Sequence, residues 1–531
     1  MPVFQVLERP RPQKGDDLAN YHLLSRDFDL EKRDETKTCI IWDVVRAHHP
    51  PAAPYAPEMS TIIRTCLRKL GILLPSFLHA HASAIQLESK KPRLTAWLDG
   101  LRGIAVSFIV LHHMSLIWFS WAIHNGWTNA DDHLIQLPII RLLVSGRANV
   151  MLLFVASGYT LSWKPLGLLL KGQRLKMYRV LASSTFRRYP RLFIPAIIIC
   201  SPVPVITYLG GFAGEGIPDA AIQPLLNEPP RFDSIAGQFL DYLVNIMGFS
   251  DVSKPRGLDW IYNDSLWTLP IEFKGSAVLF TLLLALSRCT ACSRVVITVC
   301  VAFYCLCYFH WGEFLFIGGM LVAETSPHIR GSSAEAAAAR SKDNVDVAIK
   351  AGGSPPPSQR FGHLYGSVPF LAALFVLSMP EQDRGVATSY SFRTLWTLIP
   401  AHFHASGAVD YFWQPIAAVA LVLIVDRVYF LQGIFTTRLA QYLGRISCTL
   451  YLVHMLILNS LGFYLGRYFL QVTGSESYWQ YGTGIDLAGI VVGSVIIWAA
   501  DLTSRLVDAN VVRFTAWAYS RMCKMGAEGR G

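Results

Sequence analysis

Long apolar runs are the feature that most limits what this chain can fold into. A helix needs about 20 mostly apolar residues to cross a ~30 Å hydrocarbon core, and windows of that kind recur along the 531 residues. Hydrophobic residues make up 52% of the chain and charged residues only 16%, against roughly 25% charged residues in soluble domains. The composition therefore argues against a soluble enzyme and predicts an all-α membrane protein, built as a polytopic helical bundle.

The apolar windows predict about ten transmembrane helices. The fifth and sixth windows are short, and they are also consistent with a single re-entrant hairpin around His310–Glu313. The predicted spans are 98–122, 138–162, 192–212, 266–286, 294–310, 313–325, 363–379, 412–431, 447–470 and 484–507.

Basic residues between the spans predict the orientation of the bundle. The connector 163–191 contains eight Lys or Arg and no acidic residue, whereas 213–265 contains eight acidic residues and three basic ones. The connector 123–137 is acidic and 432–446 is basic. Because basic loops stay on the cytoplasmic side, the four connectors alternate consistently when both termini are cytoplasmic. The net charge of +10 then follows from topology and does not indicate a nucleic-acid partner.

Three segments lie outside the predicted bundle. Residues 1–96 are predicted to form a cytoplasmic extension, in which 62–80 has the composition of a helix on the membrane surface. The transmembrane domain covers 97–508, and a cytoplasmic tail follows it at 509–531. Within the domain, 326–360 is rich in Ser, Ala, Gly and Pro and is predicted to be a disordered cytoplasmic loop.

Ionisable side chains inside the first span are a natural place for chemistry, because such residues usually face the bundle interior or a water-filled cavity. In LDGLRGIAVSFIVLHH (98–113), Arg102 and His113 are eleven residues apart. At about 100° per residue they share one helix face and differ in height by about 16 Å, whereas His112 points roughly 100° away. Arg102 also fits a side chain that extends to the membrane surface, and His113 also fits a hydrogen-bonded core histidine.

Hydroxyl and guanidinium groups follow at the cytoplasmic ends of the second and third spans. Ser157 and Tyr159 bring hydroxyl groups there, and packing between helices is the simpler role for them. Arg188 and Arg191 are predicted at the start of the third-span helix. At that place guanidinium groups and helix amides can bind phosphate, or the arginines can simply anchor the helix.

Two further ionisable residues lie deep in later spans. Glu272 follows Pro270 and cannot share a helix face with Lys274, so it needs another partner or water. His454 is expected about 10 Å inward from the cytoplasmic edge of the ninth span, and it also fits a buried structural imidazole. No GxSxG, Walker A or HExxH motif accompanies these residues, and no metal site is expected.

Five motifs, taken in order, resemble the acyltransferase 3 family of integral-membrane acyltransferases over roughly 95–508. The family's first-span motif is an Arg and a His separated by ten residues, which matches Arg102 and His113. Its RxxR motif matches Arg188 and Arg191. The sequence of the fourth-span motif, which contains Glu272, looks most like that of fungal members. The five motifs are LDGLRGIAVSFIVLHH, FVASGYTL, FRRYPRL, SLWTLPIEFKGS and ISCTLYLVHMLIL.

This resemblance implies transfer of an acyl group, most often acetyl from acetyl-CoA, to a hydroxyl group. Acyl-CoA is then a co-substrate, and no bound cofactor is expected. His113 would be the general base or would be acylated transiently. Arg102 would hold the thioester carbonyl or the CoA.

The remaining candidates take supporting roles in that scheme. Glu272 would orient a histidine or the acceptor, and His454 would be a second base or a structural ligand of the site. The residues assigned to donor binding are Arg188, Arg191, Ser157 and Tyr159.

The acceptor and the membrane are expected from the fungal likeness. A hydroxyl group on a small secondary metabolite is the leading expectation, with a glycan or a lipid as the alternative, and the membrane is expected to be the endoplasmic reticulum or another endomembrane. A proton-coupled transporter would also carry intramembrane Arg, His and Glu, but no internal repeat of the kind found in many transporters is present. A membrane scaffold is the third possibility, and it predicts that His113→Ala preserves function.

Overall fold

The computed structural model describes residues 74–76, 94–128, 132–212, 229–252, 261–327, 329, 359–381 and 384–528. All secondary-structure elements in this part of the chain are helices, as the composition predicted. The extension 1–96, its surface helix 62–80 and the loop 326–360 lie almost entirely outside the described residues.

The longer helices are numbered here in chain order, and short helical turns connect several of them. They are α1 (Ala96–Trp118), α2 (Gly146–Leu170), α3 (Arg174–Cys200), α4 (Ile235–Ser250), α5 (Thr268–Ala285), α6 (Ala291–Cys307), α7 (Trp311–Thr325), α8 (Gln359–Leu377), α9 (Trp413–Arg427), α10 (Arg438–Ile457), α11 (Phe463–Thr473), α12 (Tyr478–Thr503) and α13 (Ala509–Glu528).

Each of the predicted spans overlaps at least one helix, but six segments of the described chain, rather than ten, are long and apolar enough to cross a membrane. Two further apolar helices, Ala291–Cys307 and Gly366–Leu377, are shorter than a full span. The chain is therefore a helical membrane protein. The six segments are Ala96–Trp118, Arg174–Tyr208, Asp264–Arg288, Val409–Arg427, Arg438–Thr473 and Tyr478–Cys523.

The third-span helix begins well before the expected position. Helix α3 starts at Arg174, so most of the connector 163–191 is helical. The prediction that Arg188 and Arg191 open this helix is wrong, because both lie in its interior. The first amides of a helix are the ones left without an internal partner, and these two arginines are too far along α3 to share a site with them.

The connector 213–265 contains a helix that was not predicted. Helix α4 packs along α3, where the Tyr242 hydroxyl donates to the Ile197 carbonyl at 2.8 Å. At the far end of α4, the Ser250 carbonyl accepts from the Tyr189 hydroxyl at 3.2 Å. Polar residues at positions 238, 241 and 245 break up the apolar run, which explains why a hydropathy window misses this helix. Its outward apolar residues include Leu240, Leu243, Val244 and Met247.

Helices α1 and α10 approach each other closely because glycine lies at the contact. A Cβ on Gly103 would lie 2.3 Å from the Gly444 nitrogen, and a Cβ on Gly444 would lie 2.3 Å from the Asp99 carbonyl oxygen. Small residues at such contacts let backbones pack closely in membrane bundles. The same register brings His113 of α1 next to His454 of α10.

Candidate active site

Four histidines form a continuous line of rings at the ends of α1 and α10. We call His124, His112, His113 and His454 the histidine row. Ring centroids are 5.0 Å apart between His124 and His112, 5.2 Å between His112 and His113, and 5.0 Å between His113 and His454. The row joins residues from two helices and the short helical turn after α1, so only the folded chain assembles it.

Hydrogen bonds assign the proton positions of His113 and His454. His454 Nδ1 faces the Tyr451 and Leu450 carbonyl oxygens at 2.7 Å and 3.2 Å. Carbonyl oxygens only accept, so this nitrogen carries the proton and His454 Nε2 is an acceptor. His113 Nδ1 lies 3.2 Å from His454 Nε2 and 2.9 Å from the Ile109 carbonyl oxygen, so it is the donor to both.

This assignment leaves His113 Nε2 with a lone pair. Among the described residues, no hydrogen bond reaches this atom, and the ring is only half-buried. His454, by contrast, is fully enclosed. An imidazole with one nitrogen oriented by a partner and the other nitrogen open has the arrangement of a general base.

The other two histidines of the row are held by the backbone. His112 Nδ1 lies 2.6 Å from the Val144 carbonyl oxygen, and His124 Nδ1 lies 3.2 Å from the same oxygen. His124 is outside the membrane-spanning helices, and burial together with the nearby charges of Arg384 and Arg141 lowers the pKa of His124 to about 4. His124 is therefore neutral at physiological pH.

A second polar group lies near the start of α1. Arg188 Nη2 donates to Glu272 Oε1 at 2.8 Å, and the Ser157 hydroxyl donates to the same oxygen at 3.3 Å. Arg102 and Arg191 are both close enough to Arg188 to interact electrostatically with it. We call Arg102, Arg188 and Arg191 the arginine cluster, and Glu272 neutralises part of its charge.

Two arginines of this cluster have donors available for a ligand. Within the described residues, Arg102 and Arg191 form no hydrogen bond and no salt bridge, and Arg188 Nε is buried without a partner. Guanidinium groups match phosphate oxygens in geometry and charge. Three guanidinium groups thus exceed the two carboxylates nearby, Glu272 on Arg188 and Asp508 within electrostatic range of Arg191, and can hold a polyanion.

Tyr159 lies apart from the arginine cluster, although it is only two residues from Ser157. Its hydroxyl donates to Asp426 Oδ1 at 2.8 Å and to Ser326 Oγ at 3.2 Å, and its side chain is fully buried. Residues two apart on a helix point to different sides. This arrangement favours a packing role for Tyr159 over donor binding.

A hydrogen-bonded pair of hydroxyl groups lies between the two polar groups. The Tyr451 and Thr268 hydroxyl oxygens are 2.8 Å apart, and Tyr451 also donates to the Ser265 carbonyl oxygen. Tyr451 lies beside His454, with ring centroids 5.7 Å apart, and within electrostatic range of Glu272. The start of α5, which carries Glu272, is thereby positioned against the helix that carries His454.

The candidates from the sequence therefore separate into two groups, one at each end of α1. His113 and His454 meet directly, whereas Arg102, Arg188, Arg191, Glu272 and Ser157 gather at the other end of the helix. Sequence reasoning missed His124 and Tyr451, because no local motif marks either residue. Tyr451 lies three residues before His454, and that helical spacing is the one signal that could have drawn attention to it.

Residues 95–500 match the model of the acyltransferase 3 family, described as an acyltransferase domain. The O-acetyltransferase PaAT-1 of Phomopsis amygdali is 37% identical over 470 residues, which cover 86% of this chain and 89% of that protein. Acyltransferase R4 of Phoma sp. (strain ATCC 20986 / MF5453) is 23% identical, over 79% of this chain and 94% of its own. Acyltransferase clz18 of Cochliobolus lunatus is 22% identical, over 80% and 95%. No solved structure gives a significant match.

These matches cover the helices that carry both polar groups, and they support an enzyme rather than a transporter or a scaffold. The chain is an O-acyltransferase and belongs to the acyltransferase 3 family.

Proposed function

We propose that this enzyme transfers an acetyl group from acetyl-CoA to a hydroxyl group of a small molecule, as a step of fungal secondary metabolism. The observation that carries the proposal is the open Nε2 of His113, whose other nitrogen donates to His454. The 37% identical relative is named as an O-acetyltransferase, which supports acetyl as the group transferred.

The arginine cluster is the proposed binding site for the charged part of CoA. Its phosphates require several guanidinium donors, and Arg102 and Arg191 have donors available within the described residues. Arg188 is held by Glu272, so this carboxylate orients the cluster and does not take part in the chemistry. Ser157 supports Glu272 from α2.

The height of Arg102 on α1 bears on its role. Arg102 and His113 differ by about 16 Å along the helix axis, so one thioester carbonyl cannot lie beside both side chains. We assign Arg102 to the phosphates and not to the carbonyl oxygen. The long pantetheine arm of CoA would then extend from the cluster toward the histidine row.

His113 is the proposed general base in the reaction. Its Nε2 takes the proton of the acceptor hydroxyl as the acceptor oxygen attacks the thioester carbonyl carbon. The carbon–sulfur bond then breaks, and the departing CoA thiolate recovers the proton from His113 Nε2–H. A transient acetyl-imidazole on the same nitrogen is the alternative route.

His454 is the proposed positioning residue for this base. Because it accepts from His113 Nδ1–H, it holds His113 in the tautomer that keeps Nε2 unprotonated. We place the enzyme in the endoplasmic reticulum or another endomembrane, where a polytopic protein of this kind would meet cytoplasmic acetyl-CoA.

Label transfer tests the proposal. Purified full-length protein is incubated with acetyl-CoA labelled in the acetyl group and with a fungal metabolite extract, and label in the extracted small molecules is counted. We expect His113→Ala to lower transfer by about 10²–10⁴-fold, while thermal unfolding in detergent stays near that of the wild type. Transfer that survives in His113→Ala would refute the role of His113, and no transfer by folded wild-type protein would refute acetyl-CoA as the donor.

A further inference from the structure

A circuit of contacts and chain neighbours leads away from the histidine row and back to it. It leaves α1 at His112, whose ring lies against Gly146 of α2, where an added Cβ would be 2.4 Å from His112 Cδ2. It then passes through a group of aromatic rings and returns through Thr268, Tyr451 and His454 to His113. The aromatic rings are therefore connected to the histidine row at both ends, through His112 and through His454.

Three aromatic residues from three different segments form the far side of the circuit. We call Trp267, Trp311 and Tyr411 the aromatic group. Trp311 stacks on Tyr411 with centroids 5.2 Å apart and planes 10° apart, and Trp267 lies 6.2 Å from Trp311. Buried Phe154 of α2 supports the group by stacking on Trp311 at 5.8 Å.

The placement of the aromatic group connects it to the proposed base. Trp267 immediately precedes Thr268, whose hydroxyl is hydrogen-bonded to Tyr451 beside His454. The guanidinium carbon of Arg147 lies over the Tyr411 ring, 5.3 Å from the centroid of that ring. Arg147 follows Gly146, on which His112 rests.

The members of the aromatic group keep accessible surface even though they contact one another across helices. Trp267, Trp311 and Tyr411 are half-buried, as are His112 and His113. Aromatic side chains at a membrane interface usually point outward to the lipid headgroups. Here Trp311 contacts Trp267, Tyr411 and Phe154, so the three residues form one group of rings between helices.

The charges beside this group argue against an anionic ligand. Arg147 contacts Asp410 at 2.5 Å and Glu381 at 3.2 Å. Its guanidinium group is thus already paired with two carboxylates and is not available to bind an acid. The aromatic group is suited to an uncharged, apolar molecule.

We propose that the aromatic group binds the apolar ring system of the acceptor and so presents its hydroxyl group to His113 Nε2. This inference rests on the proposed acetyl transfer and specifies its substrate as an uncharged alcohol that carries fused apolar rings. Contacts with the faces and edges of aromatic rings bind rigid ring systems more tightly than flexible chains, because a rigid ligand loses less conformational freedom on binding. Trp267, Trp311 and Tyr411 are then the residues that determine acceptor specificity.

A pair of probe alcohols tests this assignment. Full-length protein is given labelled acetyl-CoA with either decalin-2-ol, which has two fused rings, or 1-decanol, an open chain with the same number of carbon atoms. We expect the wild-type enzyme to prefer decalin-2-ol in kcat/KM. Trp267→Leu and Trp311→Leu should each lower that preference by about tenfold, through a higher KM for decalin-2-ol, while KM for acetyl-CoA is unchanged.

Controls separate specificity from stability and from the function itself. Trp479→Leu is the matched control, because Trp479 is strongly exposed on α12, outside the circuit, and this variant should keep the wild-type preference. If a probe alcohol binds without being acetylated, its inhibition of label transfer into the metabolite extract is measured instead. The ratio of the inhibition constants of the two alcohols then replaces the ratio of their kcat/KM values. If the wild type does not discriminate, if decalin-2-ol neither accepts acetyl nor inhibits, or if both folded variants keep the preference, the assignment is overturned. Wild-type protein that transfers no label from acetyl-CoA to any acceptor would instead refute the proposed function.

Discussion

His113 and His454 form a pair in which one imidazole orients another. In hydrolases with a Ser-His-Asp triad, a buried carboxylate orients the base. Here the orienting group is neutral, and its own tautomer is set by the carbonyl oxygens of Tyr451 and Leu450. A neutral partner avoids placing a charge in a low-dielectric interior, which is costly unless the charge is fully paired.

The role of His454 can be separated from simple packing. Leucine at this position cannot accept from His113 Nδ1–H, so we expect His454→Leu to lower kcat by about ten- to hundredfold while KM for acetyl-CoA is unchanged. Glutamine offers an amide oxygen as acceptor, so His454→Gln should recover part of the rate. The pH dependence of kcat, measured by label transfer, should shift in His454→Leu. Equal rates and equal pH profiles for the two variants would contradict a positioning role.

Arg191 tests the assignment of the arginine cluster to phosphate. We expect Arg191→Gln to raise KM for acetyl-CoA by about tenfold, since a charge-assisted hydrogen bond contributes about 1.5–3 kcal/mol, and to change kcat little. S-acetylpantetheine, which lacks the nucleotide and its phosphates, is the control substrate. Steady-state kinetics with this thioester should be the same for both proteins, and an equal loss with both substrates would place Arg191 outside the phosphate site.

At the scale of the helices, the contact between α1 and α10 determines whether the site exists. Gly103 and Gly444 let the two backbones approach within a distance that no Cβ tolerates. Each helix carries one histidine of the pair His113 and His454, and the two are separated by 341 positions in the chain. A wider separation of the helices would break the hydrogen bond between the imidazoles.

Gly444→Ala should therefore damage the site through packing alone. The new Cβ would lie 2.3 Å from the Asp99 carbonyl oxygen, and overpacking of this kind costs about 1–3 kcal/mol. We expect a lower unfolding temperature in detergent and a large loss of label transfer. Gly433→Ala is the matched control, because nothing lies within 4 Å of its added Cβ. An unaltered melting temperature and activity in Gly444→Ala would show that the close approach is not required.

At the scale of the whole molecule, the two polar groups lie at different heights in a membrane bundle. The arginine cluster is near the end of α1 that the basic connectors are predicted to place at the cytoplasm, and His113 lies farther along the same helix. The proposed donor, acetyl-CoA, would reach the site from an aqueous compartment, so the orientation of the bundle would decide which end of the site meets it.

Cysteine labelling in sealed microsomes tests that orientation. Cys292 and Cys523 are both exposed, and the alternation of connectors places both on the cytoplasmic side. We expect a membrane-impermeant maleimide to label both without detergent, as measured by peptide mass spectrometry. Ser475→Cys, in the connector between α11 and α12, should react only after detergent is added. Labelling of this cysteine in intact vesicles would contradict cytoplasmic termini.

Much of the element pattern was predictable, because a helix in lipid must satisfy its own backbone and bury it under apolar side chains. The exceptions are instructive. Helix α4 was missed because polar side chains interrupt its apolar run. The early start of α3 was missed because its first turns are basic and extend beyond the apolar window. In both cases, packing against a neighbouring helix stabilises a segment that hydropathy alone does not identify.

The sequence by itself determined the helical class and the family motifs, including the shared face of Arg102 and His113, because these depend on spacing along one helix. Only the tertiary structure decided what each side chain meets. It paired His113 with His454, turned Tyr159 toward Asp426, moved Arg188 and Arg191 into a helix interior, and brought Trp267, Trp311 and Tyr411 together. Contacts between residues hundreds of positions apart depend on how helices pack, and no local spacing encodes that.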